Sequence, residues 1–134
     1  MKRELRIVVE QRLKVTKSGE PGEWTFVTLL NLETEHDGFV GDLVDASTEL
    51  LLDEPVSPKA RAAYPDVSLV FTVPTDTYIE TVCKWVLAKG EDTLTSEVLL
   101  DLGAQVLMTR AARYRQSGGE MRLLFTVNNL ETPS

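Results

Sequence analysis

Residues 3–15 read RELRIVVEQRLKV, and apolar side chains recur in this stretch at every second position. One parity holds Leu5, Ile7, Val9, Leu13 and Val15, and the other holds Arg6, Glu10, Arg12 and Lys14. A repeat of two residues is typical of a β-strand with one buried face and one face in water. We therefore predict a long, half-buried strand, around which the remaining elements must build a sheet.

A turn containing two glycines and a proline, at residues 17–23, leads into the uncharged run WTFVTLLNL at residues 24–32. We predict that residues 3–31 form a β-hairpin. The second strand is apolar on both faces, with Trp24, Phe26 and Leu30 on one and Val27 and Leu29 on the other. Such a strand needs cover on both sides, so we expect it at the centre of the sheet or in an interface.

Two further strands and a helical hairpin are predicted in the rest of the chain. Apolar runs predict strands over residues 66–73 and 120–128, and a 3.6-residue repeat predicts helices over 74–90 and roughly 95–116. Thr77 and Glu80 have the spacing of an N-terminal capping box, and Gly90 is a stop signal for the first helix.

The segments between these elements give weaker signals. Residues 34–42 are expected to be a loop, and residues 42–52 fit either a short helix or a strand. Residues 53–66 hold three of the six prolines and are expected to be a surface connection with at most one helical turn.

Together these elements predict one α+β domain over residues 1–134, with a frayed tail at 131–134. We expect a mostly antiparallel sheet of about four or five strands, with an N-terminal β-hairpin, an αα-hairpin packed on one face and a closing C-terminal strand. One helical pair cannot easily cover both faces of that sheet. The second layer is therefore expected to come from residues 42–52 or from another subunit.

The composition is ordinary for a globular protein, at 43% hydrophobic and 26% charged residues over 134 positions. The N-terminus has no apolar signal-peptide region, and no uncharged run approaches the ~18 residues that would span a bilayer. A single cysteine, Cys83, rules out an internal disulfide framework. We expect no membrane contact and a cytoplasmic location, or the host cytoplasm or virion if the protein is viral.

Charge is unevenly distributed along the chain, whose net charge is −7. Residues 1–17 carry six bases and two acids, residues 18–54 ten acids and no base, and residues 110–134 four bases and two acids. We refer to residues 18–54 as the acidic zone. Its charge is expected to pair within the molecule, or else to complement another subunit or a partner.

Residues that could support catalysis are few. Glu33, Glu35, His36 and Asp37 offer oxygen and imidazole ligands for a divalent metal, although their spacing is more typical of a solvated acidic loop. Cys83 lies in the apolar stripe of a predicted helix, where a small buried side chain is the usual explanation. No nucleophile-elbow, dinucleotide-binding or P-loop motif is present. We predict a protein that is not an enzyme and uses no cofactor, with a small metal-dependent enzyme as the weakest alternative.

Nucleic acid is the other ligand class that the sequence raises. Arg110, Arg113, Tyr114, Arg115 and Arg122 place guanidinium groups beside an aromatic ring. Cations in the last turns of a helix also complement its dipole, and a net charge of −7 disfavours a large phosphate-binding surface. The basic C-terminal stretch is thus the one place where nucleic acid would bind.

The pattern favours a non-catalytic interaction or self-assembly protein, a homo-oligomer that uses an apolar strand and segregated acidic and basic surfaces. The alternative is an acidic antagonist of a basic partner, such as an inhibitor, an immunity-type protein or a chaperone. The candidate interface residues lie in the apolar strand, the acidic zone and the basic C-terminal stretch: Trp24, Phe26, Leu29, Glu33, Glu35, Asp37, Asp42, Asp45, Arg110, Arg113, Tyr114, Arg115 and Arg122.

Overall fold

The computed structural model describes residues 2–13, 17–20, 22–54, 56–88 and 103–129. Five strands form one sheet: β1 Arg3–Leu13, β2 Thr25–Thr34, β3 Thr48–Leu51, β4 Leu69–Pro74 and β5 Gly119–Asn129. The helices within these ranges are α1 Asp37–Asp45, α2 Pro58–Ala63, α3 Thr75–Ala88 and α4 Ala104–Gln116. The strand order is β2-β1-β5-β4-β3, and every neighbouring pair is antiparallel. The predicted α+β fold, with its hairpin and closing strand, is confirmed.

β1 and β5 form the centre of the sheet and pair along their whole length, from Arg3 opposite Asn129 to Leu13 opposite Gly119. Leu5, Ile7 and Val9 are at most 1% exposed, as the alternating pattern requires. The opposite parity of β1 is also covered, because Val8 and Glu10 are both fully buried. The half-buried strand of the sequence is therefore enclosed on both faces over much of its length.

One face of the sheet, which we call the helical face, is covered by α1, α3 and α4. The core on this face gathers strand and helix residues into one cluster: Leu5, Ile7, Val9, Leu32, Phe39, Val40, Leu43, Val73, Tyr78, Val82, Ala104, Leu107, Ala111, Met121, Leu123 and Phe125. The predicted packing of the helical hairpin on one face is thus found, with α1 as a third helix beside it.

The other face, which we call the connector face, is covered by residues 52–54 and 56–64. A second cluster there consists of Val8, Leu52, Ala60, Tyr64, Val70 and Leu124. Ser57 caps α2 by accepting a hydrogen bond from the Ala60 N–H (3.1 Å), with Pro58 in the first turn. The second layer was expected from residues 42–52 or another subunit. It comes mainly from the proline-rich connection, because the side chains of Tyr64 and Ala60 are buried against the sheet.

β2 lies at one edge of the sheet, so the prediction of a central position is wrong. β5 takes the central place, with β1 on one side and β4 on the other. A β-bulge separates the Val9–Thr28 pair from the Glu10–Phe26 pair and leaves Val27 as the additional residue. Phe26 packs against the connector-face cluster and Val27 against the helical-face core. The bulge also changes which residues share a face. Phe26 lies on the connector face with Leu29, and Val27 lies on the helical face with Leu30, so the predicted grouping of Phe26 with Leu30 and of Val27 with Leu29 is wrong.

Two local predictions also need correction. Most of the expected loop at residues 34–42 belongs to α1, because Phe39, Val40 and Leu43 lie on one side of a helix and are buried. α3 begins at Thr75, so Thr77 lies inside the helix and does not cap it.

Some predictions fall outside the described residues: the first turns of the helix expected over 95–116, the stop at Gly90 and the tail at 131–134. Within the described ranges, no helix has the length and apolar character needed to cross a lipid bilayer.

Candidate interaction surface

The outer edge of β2 is the longest strand edge left without a partner among the described residues. β2 is ten residues long, whereas β3 at the other edge of the sheet has four. From Thr25 to Leu32 the strand carries no charged residue. Each free edge presents backbone N–H and C=O groups that can pair with another strand. β2 is therefore the stronger candidate for strand-to-strand contact.

Leu29 is the exposed apolar side chain of this edge. It lies opposite Val8 of β1, which places it on the connector face. Val8 is fully buried beneath residues 52–64, but that layer does not cover the neighbouring Leu29, which remains 44% exposed. Phe26, the other candidate on this face, packs on the core, with the Lys59 ammonium 5.4 Å from its ring centroid. Leu29 is therefore the apolar side chain of β2 most available to a partner.

Trp24, just before β2, contacts two guanidinium groups. The Arg12 and Arg122 guanidinium carbons lie 4.3 and 4.0 Å from the ring centroid. Arg12 also forms a hydrogen-bonded ion pair with Glu120. Cation–π contacts of this kind hold the ring in place. Trp24 thus anchors the start of β2 to β1 and β5, and its ring is half-buried rather than free for a partner.

A buried ion pair lies next to this tryptophan and was not anticipated from the sequence. The fully buried Glu10 accepts hydrogen bonds from Arg122 (2.9 and 3.2 Å) and from the Ser57 backbone N–H (2.9 Å). Burial lowers the pKa of Arg122 from its ordinary value, and its hydrogen bond to Glu10 opposes that shift. The pair links β1 and β5 to Ser57 at the start of α2, so it holds α2 against the connector face. The only signal in the sequence is an acid and a base at matching positions of two strands.

The acidic zone is paired within the chain at three of its five candidate residues. Glu33 lies 3.2 Å from Lys2, and Asp37 lies 3.2 Å from Arg3. Asp42 accepts a hydrogen bond from the indole Nε1 of Trp85 at 2.8 Å and lies 3.6 Å from the Lys84 ammonium. Glu35 and Asp45 are exposed. The zone is therefore neutralised in part by the N-terminal bases, which the charge pattern allowed but did not require.

The basic C-terminal stretch does not form one surface. Arg110 and Arg113 are exposed on α4, and no carboxylate of the described residues lies within 4.0 Å of either. Arg115 pairs with Asp76 of α3 at 2.6 Å. Tyr114 packs on the helical-face core and over Gly119, whereas Arg122 is on the connector face. The predicted nucleic-acid candidates are thus divided between the two sides of the sheet.

The residues considered for catalysis are also dispersed. Glu33 at the end of β2 and Asp37 at the start of α1 are engaged with Lys2 and Arg3, and the His36 ring between them lies 6.4 Å from the Trp85 ring. Across the described part of the chain, no group of three or more His, Cys, Asp or Glu side chains is placed to hold a metal ion. Cys83 is half-buried on α3.

A cavity of about 180 Å³ lies between the start of α3, the last turns of α4 and the start of β5. The charged residues in its wall are already engaged, Arg115 with Asp76 and Glu120 with Arg12. It therefore offers little charge for recognising a small molecule.

Comparison with protein-family models, curated proteins and solved structures gives no match to this chain.

Proposed function

We propose that this is a non-catalytic protein–protein interaction and self-assembly protein, and that its contact surface is the outer edge of β2. The observation that carries the proposal is the combination found on this strand. Thr25–Leu32 is uncharged, its outer edge has no strand partner among the described residues, and Leu29 is 44% exposed.

The comparison of the two edges supports this choice. Monomeric proteins protect sheet edges with short strands, charged side chains, proline or bulges. β3 is protected by its length of four residues. β2 has the bulge at Val27 but neither a charge nor a proline from Thr25 to Leu32. An edge of this length and composition is suited to strand addition, in which backbone hydrogen bonds supply affinity.

The ion pairs of the acidic zone favour this surface over an acidic antagonist of a basic partner. Lys2 and Arg3 already pair with Glu33 and Asp37, and Asp42 is committed to Trp85 and Lys84. A basic partner would have to exchange these ion pairs for its own. Because each exposed ion pair contributes little free energy, the exchange would add little affinity. The β2 edge requires no such exchange.

The test is the mass in solution of the wild-type protein and of a Leu29→Lys variant, measured by light scattering over a range of concentrations. We expect a discrete wild-type oligomer that the lysine disrupts, because like charges would then meet at the contact. The unfolding free energy should stay within ~0.5 kcal/mol of wild type, since Leu29 lies at the surface.

The matched control is Leu51→Lys on β3, where Leu51 is 49% exposed. It should leave the mass unchanged. Salt gives a second readout: acids flank β2 on both sides, so screening should strengthen self-association. A wild-type protein that is monomeric throughout, or an oligomer that Leu29→Lys leaves intact, contradicts the proposal. An oligomer that loosens with salt and is lost in Arg110→Glu would instead indicate charge-complementary assembly.

A further inference from the structure

We infer that the cavity between α3, α4 and β5 binds a small uncharged molecule that carries a carboxamide group. The inference goes beyond the proposed function, because β1 separates β5 from β2 and no residue of β2 lines the cavity. The cavity volume of about 180 Å³ exceeds the ~150 Å³ that accommodates benzene in a protein interior. A molecule of one ring and one polar group is therefore the expected size.

Thr75 supplies the observation that points to a ligand. It lines the cavity and is only 3% exposed, yet its hydroxyl has no hydrogen-bond partner among the described residues. A buried hydroxyl without a partner is costly, so nearly all such groups are satisfied by protein, water or a ligand. The missing partner of the Thr75 hydroxyl is a polar group of the bound molecule.

The start of α3 adds further donors at the same place. Pro74, Thr75 and Asp76 all line the cavity, and they form the junction between β4 and this fourteen-residue helix. The first N–H groups of a helix have no intrahelical acceptor, and the proline side chain before them has no oxygen with which to cap them. The hydroxyl and these N–H groups together suit an acceptor such as a carbonyl oxygen.

Two carboxylates in the wall can accept hydrogen bonds from the same molecule. Asp76 uses Oδ2 in its ion pair with Arg115, and Glu120 uses Oε1 in its ion pair with Arg12. Each carboxylate has a second oxygen, and an ionised carboxylate offers about four acceptor sites. An N–H donor of the ligand can therefore bind here without breaking either ion pair.

A full charge on the ligand fits this wall less well than a neutral group does. The wall holds two acids and one base, which disfavours an anion. The positive end of the α3 dipole and the Arg115 guanidinium disfavour a cation. A carboxamide has an acceptor oxygen and two N–H donors and carries no charge, so it matches both sets of groups in the wall.

Three probes of similar shape test this ligand class, because benzamide, benzoate and benzamidinium differ mainly in charge. We expect benzamide to give saturable NMR chemical-shift changes at cavity residues such as Ala111 and Met121. It should bind about tenfold or more tightly than either ion, since a buried charge without a partner is costly. The absence of saturable shifts with benzamide overturns the site. Binding of either ion as tight as that of benzamide overturns the uncharged class.

Variants of Thr75 test the role of its hydroxyl. Thr75→Val keeps the branched shape and should weaken benzamide binding by about 2- to 10-fold, as expected for one neutral hydrogen bond, whereas Thr75→Ser should retain most of it. The matched control is Thr77→Val, in the same helical turn but outside the cavity wall, and it should bind as the wild type does.

Stability without the probe gives a second readout of the same hydroxyl. Thr75→Val should unfold at a higher temperature than the wild type, because the substitution removes a buried polar group that has no partner. A lower unfolding temperature would show that the hydroxyl is already satisfied in the free protein. That result, or undiminished benzamide binding by Thr75→Val, overturns the inference. The mass of the protein in solution has no bearing on either outcome, so this test is separate from that of the β2 edge.

Discussion

Glu10 brings a carboxylate into the centre of the sheet, where the alternation of the sequence assigns it to water. It occupies the same parity as Arg6 and Arg12, yet it is fully buried, whereas those two are half-buried. The difference comes from what lies above each residue. Ser57 lies against Glu10 and donates its backbone N–H, and Arg122 donates from β5, so burial is matched by hydrogen bonds. A buried carboxylate is tolerated only with such partners.

Removing one partner of this pair should be costly. Arg122→Leu leaves the Glu10 carboxylate buried without its cation, and we expect the unfolding free energy to fall by ~3–5 kcal/mol. Combining Arg122→Leu with Glu10→Gln should recover much of that loss, because the neutral amide can still accept from Ser57. Chemical denaturation of the wild type, of each single variant and of the double variant measures both effects.

The control for this prediction is Arg12→Leu. Arg12 also contacts the Trp24 ring, but its ion pair with Glu120 is partly exposed. Its loss should cost about 0–1 kcal/mol. If the double variant is no more stable than Arg122→Leu alone, the cost lies in the lost packing on Trp24 and not in the unpaired charge.

At the scale of elements, α1 contains one glycine that a close contact requires and one that no contact requires. Gly38 and Gly41 both lie within α1, and both lower its intrinsic helix propensity. A Cβ on Gly38 would come within 2.6 Å of the Trp85 ring, whereas a Cβ on Gly41 would meet nothing within 4 Å. Trp85 cannot move aside freely, because its indole N–H is bonded to Asp42.

The two alanine substitutions should therefore have opposite signs. Gly41→Ala is expected to stabilise the protein by up to ~1 kcal/mol through helix propensity. Gly38→Ala should destabilise it by ~1–3 kcal/mol through overpacking, which exceeds the same gain in propensity. In a Trp85→Ala background, Gly38→Ala should become stabilising. Thermal or urea unfolding distinguishes these cases, and a Gly38→Ala variant as stable as Gly41→Ala would contradict the contact.

The elements differ in how much of them could be predicted from the sequence. β1, β4, β5 and α3 follow from local periodicity, because each buries a regular set of positions. α1 was missed because its two glycines resemble loop chemistry, and the contact that accounts for Gly38 is with Trp85, over forty residues away in the chain. The role of residues 52–64 as a layer was missed because Tyr64 acts through tertiary contacts, with its hydroxyl 2.9 Å from the carbonyl oxygens of Arg6 and Leu124.

The same division holds for the candidate surface. The apolar character of β2 on both faces was visible in the sequence, but its place at the edge was not, because strand order depends on long-range pairing with β5. The bulge that places Phe26 and Val27 on opposite faces of the sheet also has no signature in the local sequence. The segregation of charge was evident in the sequence. The ion pairs that Lys2, Arg3 and Lys84 form with the acidic zone could be identified only in the folded structure.

For the molecule as a whole, two buried tyrosines link stability to alkaline pH. Burial raises the pKa of both Tyr64 and Tyr78 above the ordinary range for tyrosine. Above pH ~10 the unfolded chain releases these phenolic protons while the folded protein retains them. The stability they support is complete below that pH and is lost as the pH rises further.

We therefore expect the unfolding free energy to fall above pH ~10, with each buried tyrosine adding about 1.4 kcal/mol per pH unit to the slope. Tyr64→Phe and Tyr78→Phe should each reduce the slope by that amount. Tyr64→Phe should also cost ~0.5–1.5 kcal/mol at neutral pH through its lost hydrogen bond. Urea unfolding across the alkaline range measures both terms. Slopes equal to that of the wild type would show that other groups control the alkaline loss.

The position of β5 has a consequence for how the molecule is made. β5 follows every other described strand in the chain, yet it lies between β1 and β4. While a ribosome is still translating the residues before Gly119, the β1–β2 hairpin and the β3–β4 pair have no strand in common, and the cores on both faces lack Leu123, Leu124 and Phe125. The nascent chain therefore holds two unconnected pieces of sheet, and unpaired strand edges and exposed apolar surface make such species prone to aggregation. Insertion of one late strand closes both cores at once, so folding is coupled to synthesis of this final segment of the sheet.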